Sequence, residues 1–196
     1  LSLCNKNFQK INNYSSNAKH NLLLEVCMAA KYEGESLKNY HAQYQEKYPG
    51  SSFTMCTMLA RSFADIGDIV RGRDLYFGKR KKKKENGKET ETERDKLEEN
   101  FKLSFQQIHD DPTKGGTNGQ TLKTRYQNDN TDYFQLREDW WALNRKEVWK
   151  AITCHVVSGN NYFRQTCNGQ HRTQDNCQCA TNDVPTYFDY VPQYLR

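Results

Sequence analysis

Seven cysteines in 196 residues, at positions 4, 27, 56, 154, 167, 177 and 179, constrain this chain more than any other feature of its sequence. Such a density is unusual for a cytosolic protein of this size and fits a disulfide framework made in an oxidising compartment. Composition agrees: 35% of residues are hydrophobic and the mean hydropathy is −1.04, so the core is thin for the length and benefits from staples. An aromatic content of 12% nonetheless excludes a wholly disordered chain. The cysteine count is odd, so at least one partner is missing. The chain also opens with Leu1 and closes on an uncapped apolar pattern at Tyr190 to Arg196, which together read as an excerpt from a longer protein. A zinc site built from Cys154, Cys167, Cys177 and Cys179 with His155 and His171 is the rival reading. It is disfavoured because Cys177-Gln-Cys179 leaves one residue between thiols where structural zinc sites leave two to four.

The hydrophobic pattern is helical almost throughout, and no run alternates convincingly enough for a strand. Leu22, Leu23, Val26, Met28 and Ala30 predict a helix over 17–31, interrupted by Gly34. Ser36 is then placed to cap a second helix with Leu37, Tyr40, Tyr44 and Tyr48, stopped by Pro49-Gly50. Thr54 opens the most apolar helix, with Met55, Leu59, Ser62, Ile66 and Ile69 on one stripe and Met58, Phe63 and Val70 beside it. Leu97, Phe101, Phe105 and Ile108 mark another. A long helix from Thr131 or Asp132 carries Phe134, Trp141, Val148 and Ile152 on one face, extended by Trp140 and Trp149. Residues 155–185 are polar, hold three cysteines and show no sustained period, so they read as a disulfide-tied irregular excursion. The expected class is all-α, a disulfide-stapled helical bundle with long irregular loops, folded as one cooperative unit or two intimate subdomains.

The net charge of +5 is very unevenly placed, because residues 79–88 alone hold seven Lys/Arg and one Glu. With Asn86-Gly87 inside it, this run reads as an exposed loop. It is either a solvated surface segment or a polyanion site formed by Lys79, Arg80, Lys81, Lys82, Lys83, Lys84 and Lys88. Base-reading or stacking motifs are absent, which argues against nucleic acid as partner. No stretch approaches the ~18 apolar residues of a membrane span, since the longest, Leu22 to Ala30, is broken by Glu25. Catalysis, cofactors and metals find no support either. The histidines at 20, 41, 109, 155 and 171 sit in unrelated contexts, Gly115-Gly116 lacks the Lys-Ser/Thr of a phosphate loop, and Cys154-His155 diverge at i, i+1 on a helix, leaving Cys154 better read as a half-cystine. Asn13-Tyr14-Ser15 is a formal glycosylation sequon, weak evidence of a surface position.

The run Ala60 to Tyr76 (ARSFADIGDIVRGRDLY) resembles a homology block of the Duffy-binding-like α domain in the erythrocyte membrane protein one family of Plasmodium falciparum. Three further blocks match in the same order: Leu22 to Leu37 (LLLEVCMAAKYEGESL), Asp139 to Cys154 (DWWALNRKEVWKAITC) and Asp189 to Arg196 (DYVPQYLR). The resemblance implies an extracellular adhesion domain on the infected-erythrocyte surface. Residues 1–50 would then be part of the first subdomain and entry helices, and 51–196 the central helical subdomain; the third subdomain is absent. It also implies that cysteines outside this stretch account for the odd count. Partners would be host erythrocyte receptors engaged in rosetting through sulfated glycosaminoglycan or blood-group glycan, possible alternatives being complement receptor type 1 on the bundle surface or no ligand at all, as in a spacer. Host antibodies would meet the same variable loops. The blocks themselves read as scaffold, with Asp65, Asp68, Arg71 and Asp74 expected to pair with the Arg137–Arg145 helix.

Overall fold

The helical periodicities become four helices in the computed structural model, which describes residues 18–49, 54–73, 84–85, 88–89, 93–110, 125–129, 131–157 and 159–196. They are α1 (Ala18–Lys47), α2 (Met55–Val70), α3 (Glu93–Asp110) and α4 (Phe134–Thr153). A two-rung antiparallel ladder, β1 (Lys84–Glu85) with β2 (Lys88–Glu89), is the one pair of strands among the described residues. Two short 3-10 turns, Phe188–Tyr190 and Gln193–Leu195, close the chain.

The two helices expected on either side of Gly34 are a single helix of 30 residues. Gly34 does not interrupt it; the residue is buried where α1 crosses α4, and a Cβ there would run into the Ile152 carbonyl. Ser36 caps nothing, because its hydroxyl donates back to the Tyr32 carbonyl at 3.0 Å from within the helix. Leu22, Val26, Ala29 and Ala30 lie in the same cluster as the residues of α2 and α4, so the helix before residue 50 shares its core with those after it.

α2 begins as its sequence indicates: the Thr54 hydroxyl accepts from the Thr57 amide at 3.3 Å. It ends on Arg71 and Gly72, whose φ of +69° is the left-handed conformation that a helix stop requires, with the Arg73 amide donating to the Asp68 carbonyl at 2.8 Å. α4 starts later than Thr131 and by a different device. Tyr133 stands at φ +54° with no capping side chain of its own, and the Asp129 carboxylate accepts instead from the amides of Gln135 (3.2 Å) and Leu136 (2.9 Å). A carboxylate at that end also suits the helix dipole.

The core is aromatic. Phe63 of α2 packs against both Trp141 (ring centroids 5.1 Å) and Trp149 (5.2 Å, edge-on), and Phe105 of α3 meets Trp140 edge-on at 6.0 Å. Phe134 does not join its expected face: it is 45% exposed, being the first residue of α4 and beyond the reach of the bundle. The stretch after Cys154 is irregular as expected, with isolated bridges Asn160–Asn176 and Cys167–His171 in place of regular elements.

Candidate functional site

Among the described residues, one group of charges is structural. The structural group sits where α2, α4 and the last ten residues meet. Asp189 is buried; its carboxylate accepts from Trp141 Nε1 (2.9 Å) and from Arg145 Nε and Nη2 (both 2.8 Å). The Arg71 guanidinium, fully enclosed, donates to Asp68 at 3.1 Å and to the Gly67 and Asp189 carbonyls. Arg196 then spans Asp65 (3.0 Å) and Asp68 (2.6 Å) while its Nε donates to the Val191 carbonyl at 2.8 Å. Burial raises the Asp68 carboxyl above the ordinary carboxylate range, against the opposing pull of Arg196, Arg71 and Arg73. Three arginines therefore strap residues 186–196 to the bundle.

The expected pairing of the α2 acids with the α4 arginines is only partly what occurs. Asp65 and Asp68 turn to Arg196 and Arg71, whereas Arg137 of α4 pairs with Glu98 of α3 (2.6 Å) and donates to the carbonyls of Val70 (2.6 Å) and Ile69 (3.1 Å). The links from α2's end to α4 run the other way, from Arg73 to Glu138 at 2.6 Å and, as expected of Arg71, from Arg71 to Glu138 at 3.6 Å. Asp74 lies outside the described residues. Sequence reasoning picked out the blocks that hold Arg145, Asp189 and Arg196 without pairing them; charged residues inside otherwise core-spaced stretches were the available signal.

Of the seven cysteines proposed as half-cystines, four are bonded: Cys56–Cys177 and Cys167–Cys179. That removes three of the four thiols of the zinc alternative, and no group of three or more His, Cys, Asp or Glu among the described residues is placed to hold a metal. Cys27 and Cys154 carry free thiols, contrary to expectation. Cys27 is half-buried on α1, and burial, with Glu147 nearby, pushes its thiol up to about 11, which keeps it protonated and inert. Cys154 is exposed at the end of α4. Cys4 lies outside the described residues.

The basic run occupies residues 79–88. Lys79, Arg80, Lys81, Lys82 and Lys83 lie outside the described residues, while Lys84 and Lys88 fall in the ladder, where the register sets Lys84 opposite Glu89 and Glu85 opposite Lys88. The ladder flanks Asn86-Gly87, the dipeptide that most favours a two-residue hairpin connection. No helix among the described residues is long and apolar enough to cross a membrane.

Comparison with known proteins accounts for this architecture. The Duffy binding domain model matches residues 1–196. Among solved structures, the N-terminal NTS-DBL1-alpha and CIDR-gamma double domain of the PfEMP1 protein from the Plasmodium falciparum varO strain is 36% identical, with a TM-score of 0.73 over 97% of this chain and 25% of that one. The ICAM-1-binding PfEMP1 IT4var13 DBLbeta domain is 28% identical, with a TM-score of 0.56 over 90% of this chain and 34% of that one. This chain thus spans a quarter to a third of the solved chains it matches. No curated protein matches. A helical frame strapped by buried arginines, tied by disulfides and matched from its first residue to its last is a member of the Duffy binding domain family.

Proposed function

We propose that this chain is an extracellular adhesion domain of a variant surface antigen on infected erythrocytes, and that it attaches to host erythrocytes through sulfated glycans. The family match supports adhesion. The observation that carries the glycan reading is the isolated basic run, Lys79 to Lys84 with Lys88, in a chain whose remaining charge nearly cancels. A segment so dense in cations attracts sulfate groups strongly and with steep salt dependence, since each contact releases condensed counterions. The core aromatics play no part in recognition, because Trp141, Trp149 and Phe63 are enclosed. Neutralising Lys79–Lys84 is expected to abolish retention on immobilised heparin at physiological ionic strength and to flatten the salt slope; unchanged retention would remove the run as the site.

A second reading takes a protein receptor on the bundle surface. Its motivation is that one solved relative is described as binding ICAM-1, a protein. It predicts that binding to erythrocytes survives deletion of 79–88, and loss of cell binding on that deletion would dismiss it.

A further inference from the structure

The excursion after α4 carries two exposed arginines. Arg71, Arg73, Arg125, Arg137, Arg145 and Arg196 each bridge to a carboxylate. Arg164 and Arg172 have no such partner among the described residues, and both are exposed. The fold brings them to the same tip. The chain turns between Cys167 and His171, which exchange backbone hydrogen bonds at 3.0 and 2.8 Å, and behind that turn the Tyr162 amide donates to the Thr173 hydroxyl at 2.9 Å. Arg164 and Arg172 are held between these two cross-links.

The tip is rigid from below. Cys167 is bonded to Cys179, Cys177 to Cys56 of α2, and the Thr166 hydroxyl donates to the Pro185 carbonyl at 2.5 Å. Tyr162, Cys167 and Thr173 point inward and are buried, while Phe163, Arg164, Gln165, Gln170, His171 and Arg172 are exposed. The Arg164 guanidinium lies over the Phe163 ring, 5.2 Å from its centroid. Asp175 is the one acidic residue between positions 159 and 182, and it accepts from the Asn161 amide at 3.2 Å.

We propose that this tip is a contact site for an acidic oligosaccharide, with Arg164 and Arg172 holding its sulfate or carboxylate groups, Phe163 stacking on a sugar face, and Gln165 and Gln170 meeting hydroxyls. The chemistry favours a glycan over a protein surface. Protein interfaces anchor on buried clusters of large apolar side chains, whereas Phe163 is the single exposed large hydrophobic residue between 159 and 182. The proposal rests on the adhesion reading above but on a different part of the chain from the basic run.

The test measures binding of a fluorescent heparin fragment, of polyglutamate and of unsulfated dextran across a salt series. The proteins are the parent chain, R164Q/R172Q, the Lys79–Lys84 neutralised form, and K31Q/K38Q, which removes the same charge from exposed positions on α1. R164Q/R172Q is expected to weaken heparin binding about tenfold with a shallower salt slope, and K31Q/K38Q to leave it near the parent value. R164K/R172K, which keeps the charge and loses the planar fork, should fall between them with the salt slope retained. Equal heparin affinity of R164Q/R172Q and the parent would overturn the proposal. So would an equal loss against polyglutamate, which would mark a generic anion surface. If only the Lys79–Lys84 form loses heparin, the basic run stands and the tip falls; if only R164Q/R172Q does, the reverse holds. A parent that binds neither heparin nor dextran dismisses both glycan sites while leaving the protein-receptor reading intact.

Discussion

The helical bundle and the excursion over 155–185 are neighbours held together by different physics. In the bundle, Phe63, Phe101, Phe105, Trp141, Trp149 and the aliphatic residues around them are enclosed, and burial of apolar area is the main stabilising term. Among the described residues of the excursion, the buried ones besides the half-cystines are only Tyr162, Thr173, Val184 and Pro185. Its order comes from two disulfides and from side chains that replace missing backbone partners: the Thr173 hydroxyl accepts from the Tyr162 amide, and Trp149 Nε1 donates to the Cys177 carbonyl at 3.2 Å. A region without a core can still present fixed side chains if covalent links and local hydrogen bonds remove its freedom. Its exposed residues are then at liberty to change, because none is needed for packing.

That contrast can be broken at its strongest point first. Trp141→Ala removes a fully enclosed ring and the donor to Asp189, and is expected to cost about 3–5 kcal/mol in urea unfolding. The loss should be global, with the excursion melting together with the helices; an excursion that stayed ordered after the bundle unfolded would show that it has a stability of its own.

Next in size is the C56S/C177S pair, which cuts the tether across 121 residues of sequence. The expected cost is about 2–5 kcal/mol by loop-closure arguments, but its spatial pattern matters more. Limited proteolysis should open 155–185 while far-UV circular dichroism keeps the helical signal. Simultaneous collapse of both would mean that the bundle depends on the tether and that the two regions are one cooperative unit in this respect.

The smallest effect is electrostatic. Arg125 donates to Asp139 at 2.6 and 2.8 Å, and this hydrogen bonding, with a contribution from Tyr126, holds the Asp139 carboxyl below its usual range. A carboxyl depressed in the folded state contributes stability that is intact above the unfolded value, roughly 3.9, and is lost as pH falls through the lower folded value. Asp68 runs the other way. Its raised carboxyl costs stability near neutrality, and that cost shrinks as pH falls through its folded value. D139N is therefore expected to have a flatter stability profile than the parent below about pH 4, read by chemical unfolding at stepped pH. An unchanged acid limb would show that the exposed Arg125–Asp139 pair is screened to nothing.

How much of this was legible in the sequence differs by level. Helix existence followed from periodicity at Leu22 to Ala30, Met55 to Val70, Leu97 to Ile108 and Trp140 to Ile152, because a 3.6-residue repeat of apolar side chains has few other uses. The Thr54 cap was legible too, since its partner is three residues away. Gly34 misled, because a glycine's local meaning is a break whereas its actual role is to let the α4 backbone approach. Phe134 misled because a stripe continues on paper past the point where the neighbouring helices end.

By itself, then, the sequence determined what depends on neighbours a few residues apart: the helical class, the irregular and cysteine-rich character of the excursion, and one concentrated basic run. Tertiary structure alone decided which distant groups meet. Cys56 finds Cys177, Asp189 lies between Trp141 and Arg145, and Arg196 reaches Asp65 and Asp68, at separations where chain spacing carries no geometric information. The same holds for Arg164 and Arg172, whose meeting at one tip and lack of carboxylate partners exist only once the Cys167 turn is closed. Local propensity is a property of a few consecutive dihedrals, whereas the pairing of charges and thiols is a property of how the helices pack.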